Sequence, residues 1–542
     1  MRRFLIPRPS IMINRSVSGL IAAVIMGCTA FLPSQAAENQ NILRFIEGID
    51  SAAVPMKACD MHAPLNDPCP LNDPWAVLVL RKGVFPKDIT AALEALDPPG
   101  GQPGYSVQHS FFVSESGQLP VNIAINREFR MVITRSKPDE ALPAVLIAAP
   151  AGQRDGFIEL MSWDPTKKAL NFYRRPKGGE WTWKGDTRMA FQVATAGKGC
   201  FQCHVHGTPV MKELRSPWNN WHSQAASIPP EAIPADDIRT SPLFTQKLTA
   251  DALEPLVKGW ISTAITAMVQ DDMKQDQIVD TRTLLRPLFE TDTVNLQSSH
   301  QRSKGFSPTV DLPPGFFLNF DVFSNVFGLE TLPNFSGLVD RTLYATAVEK
   351  FGFSLSDGTG FNQPGDTHFG FLVPVPSESG NTLIRQMINQ QVITHHFALS
   401  VLMVDFTNPV YSKARSGLLQ YVPGTGHIQD GRSDLAEKTA QAIVDIAPHT
   451  PAGSPERDFV ANWAKDPNQL RSEAEKKMQA YQNAVLQRLK TQEGVNDYTR
   501  LAESRRRRFA ATTLNEFPLL LPQTNLPENL DLQMLPDGSV GP

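Results

Sequence analysis

Cys200-Phe201-Gln202-Cys203-His204 sets two thiols three residues apart and an imidazole directly after the second. Thiols at this spacing can add to the two vinyl groups of haem as thioethers, and the adjacent imidazole then lies beneath the iron as its proximal ligand. With 5 Cys and 11 His in 542 residues, such a match arises by chance about once in a thousand chains of this make-up. The same residues could also serve as a redox dithiol or as half of a zinc site. Zinc needs four ligands, and no second cysteine pair with ligand spacing follows. A thioredoxin-like dithiol expects a βαβ setting, which the flanking sequence does not suggest. The expectation is therefore one covalent haem c, with Cys200 and Cys203 as attachment thiols and His204 as the iron ligand.

The N-terminus points to a compartment where such attachment takes place. Arg2, Arg3, Arg8 and Arg15 precede an apolar run from Gly19 to Leu32, and Ser34-Gln35-Ala36 offers small residues for cleavage before Ala37. The run is too short to span a bilayer, which takes about twenty residues. Residues 1–36 therefore read as a signal peptide and the mature chain as periplasmic, with no stable membrane span. Cys28 in Ile25-Met26-Gly27-Cys28 is a weak lipidation signal and the basis of a minor, membrane-tethered alternative. Once Cys200 and Cys203 are assigned to haem, Cys59 and Cys69 remain in the mature chain. An oxidising compartment permits a disulfide between them.

About 500 residues remain after cleavage, far more than one haem requires. The formal net charge of −4 gives no reason to expect nucleic acid as a partner. The 44 Pro and 35 Gly imply many turns, while 41% hydrophobic residues suffice for sizeable cores. Two regions follow the signal. Residues 37–230 read as β-rich and haem-bearing, residues 231–542 as mainly helical, and the fold class as α+β with an antiparallel sheet first.

Short runs rich in Val, Ile and Phe predict strands at Val121–Ile125, Arg130–Thr134, Ala144–Ala148, Phe157–Trp163, Lys168–Arg174 and Trp181–Trp183. Asp164-Pro165-Thr166-Lys167 reads as a hairpin turn. Spacings of three and four among Leu253, Leu256, Trp260, Ala264 and Met268 predict an amphipathic helix from Thr249 to Met273. Further helices are expected over 382–405, 433–446, from Ser454-Pro455-Glu456 to about Gln492, and over 496–514. Residues 290–334 and 405–428 read as loops or irregular structure.

Cys200, Cys203 and His204 make the chain resemble the c-type cytochromes. The resemblance implies a single covalent haem c with His204 bound to its iron throughout. Small helical cytochromes carry the motif near the start of the domain. Here strand-like sequence from about 108 to 184 precedes it, an arrangement similar to monohaem cytochromes built on an antiparallel sheet.

The sixth iron ligand decides between carrier and catalyst. Candidates are Met211 and His222 nearby, Met131, Met161 or Met189 from the sheet, and Met61 or His62 further off. None has a ligand spacing, and for each of them packing or surface polarity is the commoner role. His206 lies two residues from His204, and so short a tether should keep it off the opposite face of the haem. Trp218 and Trp221 read as apolar cover for the cofactor. His395 and His396 point about 100° apart on a helix and read as one buried and one exposed histidine. Asp366-Thr367-His368 has no evident nucleophile partner, and Arg505 to Arg508 reads as a solvated face paired with acids such as Glu503. The simplest function is haem-mediated electron transfer with a redox partner protein. The alternatives are an oxidoreductase with an open iron position acting on a peroxide, nitrogen oxide or similar small substrate, and a haem-based sensor or partner-binding protein.

Overall fold

The computed structural model describes residues 42–56, 71–97, 104–114, 129–153, 155–214, 220–224, 228, 233, 236–299, 305–329, 335–356, 362–364, 373–512 and 521–542. The expected signal segment with Cys28, the Cys59/Cys69 pair, Met61, His62, the strand expected at 121–125, Trp218 and Asp366-Thr367-His368 lie outside these residues.

The fold is α+β. An eight-stranded sheet is built from β1 (Leu43–Arg44), β2 (Val54–Pro55), β3 (Val107–Ser114), β4 (Phe129–Ser136), β5 (Val145–Pro150), β6 (Ile158–Asp164), β7 (Ala169–Arg175) and β8 (Thr182–Asp186). Its order is β2-β1-β8-β7-β6-β5-β4-β3. Strands β3 to β8 form an antiparallel meander, whereas β1 joins β8 in parallel. The expected hairpin turn at 164–167 is present. Asp164 Oδ1 accepts from the N–H groups of Thr166 and Lys167, both at 2.9 Å, and Lys168 adopts φ 50°.

Successive residues of a strand face opposite sides of a sheet, and here both sides are buried. Phe112, Met131, Ile133, Ile147, Leu160 and Tyr173 enter one core together with Trp75 and Trp181. Their chain neighbours Phe111, Val132, Leu146, Met161 and Phe172 enter the other, together with Phe201, Trp221 and Trp260. The sheet is therefore a middle layer, and the Cys200–His204 segment packs on the face that the C-terminal helices share. Residues 41–542 form one compact unit.

Helix Ala250–Asp272 carries the expected apolar stripe. Leu253, Val257, Trp260, Ile261, Ala264 and Met268 are buried, and Trp260 Nε1 donates to the Pro143 carbonyl at 2.8 Å. The helix expected over 382–405 is two helices, Glu378–Asn389 and His395–Leu402. Gln391 at φ 63° breaks it, and the Thr394 hydroxyl caps the second segment by accepting from Phe397 N–H. The stretch from Ser454 likewise divides into Pro455–Trp463 and Pro467–Arg488, because Asp466 caps a new start with Pro467 at its first position. The last long helix is Gln492–Ala511. Within 290–334, Val294–Gln297 forms a ladder with Val373–Pro376, and Thr309–Leu312 pairs with Gly337–Asp340.

The arginine run corrects the reading of a solvated face. Arg505 and Arg506 are each 2% exposed. Arg505 lies over the Phe316 ring at 4.7 Å and donates to Asn408 Oδ1 at 3.0 Å. Arg506 and Arg507 both pair with Glu503, the acid expected from the sequence. Among the described residues no helix is long and apolar enough to cross a membrane.

Candidate functional site

Cys200–Cys203 forms one helical turn, joined to β8 through the short helix Thr187–Phe191 and a run of turns up to Gly199. Residues i and i+3 of a helix share a face, so the two thiols belong to one side of this turn. Two glycines set its ends. Gly199 precedes it at φ 54°, and a Cβ there would lie 2.3 Å from Glu47 Oε2. Gly207 follows at φ 60°, and a Cβ there would lie 2.6 Å from the Thr187 backbone. Only a residue without a side chain fits either position at low cost.

The sheet supplies the floor. Phe172 of β7 packs edge-on against Phe201 with ring centroids 5.5 Å apart, and meets the His204 ring at 5.3 Å. Phe201 is 1% exposed, so the motif is anchored by the residue between its cysteines. His204 N–H closes the turn on the Cys200 carbonyl at 2.9 Å. Burial pushes the Cys200 thiol up to about 12, which suppresses the thiolate and its reactivity. No disulfide joins Cys200 to Cys203.

The His204 ring has a defined proton position. Its Nδ1 lies 2.8 Å from the Thr208 carbonyl oxygen. A carbonyl only accepts, so Nδ1 carries the hydrogen and Nε2 holds the lone pair. A metal-bound histidine commonly has this arrangement, its other ring nitrogen donating to a backbone carbonyl. The donor set of two thiols on one turn and one imidazole with Nε2 available as a ligand thus fits a covalently attached haem. Cys200, Cys203 and His204 are the residues that would hold it.

The other sequence candidates separate by position. Met131 pairs with Phe112 and belongs to the opposite face of the sheet. Met161 is directly opposite Phe172 and shares the motif's face. The Met189 sulfur and the Phe201 ring both crowd Gly185. Trp221 is buried and donates from Nε1 to the Lys212 carbonyl at 3.1 Å, which makes it packed cover. His222 is half-buried, and among the described residues its buried Nδ1 has no hydrogen-bond partner. His395 is exposed, and the half-buried His396 lies 3.0 Å from the Trp463 carbonyl through Nε2.

Met211 lines a cavity of about 750 Å³ together with Val257, Ile261, Thr293, Ser379 and Asn381. The cavity begins at Pro209, just past the motif, and neither thiol nor His204 lines it. His206 is bonded away from the Cys200–His204 segment, with Nε2 at 2.9 Å from Asp292 Oδ2 and Nδ1 at 2.9 Å from Ser379 Oγ. Asp292 and Ser379 carry no sequence signal that would mark them, because they stand 86 and 173 residues from His206.

Compared with protein-family models, with curated proteins and with solved structures, the chain matches none.

Proposed function

We propose that the chain is an exported monohaem c-type cytochrome that exchanges electrons with a partner protein in the periplasm. The observation that carries this reading is the His204–Thr208 hydrogen bond, which leaves Nε2 as the donor atom beside two thiols at attachment spacing. Haem, when bound, supplies one-electron chemistry at its iron. The protein's part is to hold and shield it. Cys200 and Cys203 would fix the ring covalently, Thr208 orients the imidazole, and Phe172, braced by Phe201, packs against the His204 ring.

Expression in a host with haem-ligation machinery tests the proposal. The mature protein should be coloured, carry one haem that survives denaturation, and lose that covalent link in the Cys200→Ala/Cys203→Ala double variant. A colourless mature chain with the mass of its amino acids alone would end this reading.

A second reading, an oxidoreductase with an open iron position, has one observation in its favour. His206, the imidazole nearest in sequence to the proximal ligand, has both ring nitrogens committed elsewhere. A high-spin ferric spectrum with rapid cyanide binding supports that reading. A low-spin spectrum indifferent to cyanide supports the carrier.

A further inference from the structure

His206 bridges two side chains that chain connectivity keeps far apart. Asp292 Oδ2 lies 2.9 Å from Nε2, and Ser379 Oγ lies 2.9 Å from Nδ1. The carboxylate only accepts, so the proton sits on Nε2 and the Nδ1 lone pair faces the serine hydroxyl. Nucleophile, base and orienting acid are thereby connected in one hydrogen-bonded chain, the arrangement that activates a serine for acyl transfer. The same roles are met whichever ring nitrogen faces the serine, provided the proton is on the carboxylate side.

The surroundings match those roles. The His206 side chain is 2% exposed and that of Asp292 9%. Phe191 stacks on the imidazole at 5.9 Å with planes 16° apart, which fixes the ring. Ser379 is only half-buried and lines the 750 Å³ cavity, within the size range of small-molecule sites. It is the second residue of helix Glu378–Asn389. The Ser377 hydroxyl already accepts from Gly380 N–H, and the Ser377 carbonyl accepts from Asn381 N–H. The Glu378 and Ser379 N–H groups lie ahead of Asn381 N–H, the first donor to an intrahelical carbonyl, next to the nucleophile, where a developing oxyanion is stabilised by such donors.

We infer that Ser379, His206 and Asp292 form an ester-hydrolysing centre that opens into the cavity beside the haem motif, with a small neutral or cationic ester as its substrate. The charge preference follows from the lining, where five carboxylates, Glu378 among them, face two lysines. One of those lysines, Lys258, is paired with Glu254 at 2.7 Å. Ser379 Oγ attacks the ester carbonyl carbon and its proton passes to His206 Nδ1. The bond to the leaving alcohol then breaks, and that proton departs on the alcohol oxygen. Water attacks the acyl-serine, gives a proton to Nδ1 and releases the acid as the Ser379 hydroxyl is restored. Asp292 acts as a positioning residue that holds the imidazole in the productive tautomer. Neither step involves the haem.

The test uses the full-length mature protein as isolated. Incubation with a fluorophosphonate should give one adduct, mapped by peptide mass to Ser379, and should abolish hydrolysis of p-nitrophenyl acetate. Ser379→Ala should remove both labelling and turnover. Asp292→Asn should lower kcat by about 10²–10⁴-fold with KM little changed, a split that simple loosening of the fold does not produce. The labelling of the wild-type chain requires no variant to fold. Absence of an adduct at Ser379, or hydrolysis unchanged in Ser379→Ala, overturns the proposal and leaves His206 a buried histidine with a structural role. Both readouts are independent of haem content, so they stand or fall apart from the cytochrome reading.

Discussion

The Thr187 hydroxyl donates to the Gly207 carbonyl at 2.9 Å and accepts from the Leu170 N–H at 3.0 Å, so one fully buried side chain ties the loop after Cys200–His204 to the start of β7. Gly207 N–H in turn closes on the His204 carbonyl at 2.7 Å. Thr187→Val keeps the shape and removes both bonds, leaving a buried carbonyl and N–H unpaired. It should cost about 1–3 kcal/mol, read as a lower urea midpoint with unchanged m-value. Gly207→Ala, forced against the Thr187 backbone at positive φ, should cost at least as much.

Replacing His204 with Ala removes the imidazole and leaves both thiols. The variant should still retain haem after denaturation, since the thioethers are intact, yet its ferric spectrum should shift and respond to added imidazole. An unchanged spectrum would show that His204 Nε2 does not bind the iron.

The Cys200 thiol, pushed up to about 12 by burial, should resist iodoacetamide at pH 8 in the folded haem-free chain and react once the chain is unfolded. In the haem-loaded chain neither Cys200 nor Cys203 should react even when unfolded. Mapping alkylated cysteines by mass spectrometry distinguishes thioethers from free thiols without reference to colour.

Asp73 is fully buried beneath the sheet, accepting from Tyr173 Oη at 2.6 Å and Asn171 Nδ2 at 2.9 Å. Burial outweighs these bonds and pushes its carboxyl from 3.8 up to about 6. The folded state therefore binds this proton more tightly than the unfolded chain does. The associated stability is fully present below the unfolded value and is lost as pH rises through the folded one. Across that window the loss is roughly 3 kcal/mol. Asp73→Asn should flatten the stability profile between about pH 4 and pH 6, measured by denaturant melts at each pH.

Arg505 is a guanidinium buried to 2% exposure. Burial pushes it down to about 10, and its donors reach the Phe316 carbonyl and Asn408 Oδ1. Arg505→Met strands both acceptors and should destabilise the chain by about 2–4 kcal/mol. Arg505→Lys cannot reproduce the two-pronged fork or the stacking on Phe316, and should recover less than half of that loss.

Some of this molecule was readable along the chain. Cys200, Cys203 and His204 fall within five residues, so their shared placement on one turn followed from spacing alone. The β4–β8 strands and the helix starts at Ser454 and Thr249 were legible because alternation, apolar spacing and N-terminal proline act within a few residues. The break at Gln391 was hidden, since one residue in a left-handed conformation interrupts an apolar pattern that otherwise continues. The burial of Arg505 and Arg506 was hidden too, because a charge run signals solvent until a neighbouring element covers it.

The chain order alone determined the spacing of Cys200, Cys203 and His204 and the class of fold. Only the tertiary structure decided which nitrogen of His204 is available, because the Thr208 carbonyl that accepts from Nδ1–H is placed by the loop held at Thr187. It likewise decided that His206 meets Asp292 and Ser379. A hydrogen bond depends on where atoms lie in space, and residues this far apart in sequence carry no local trace of the approach that packing brings about.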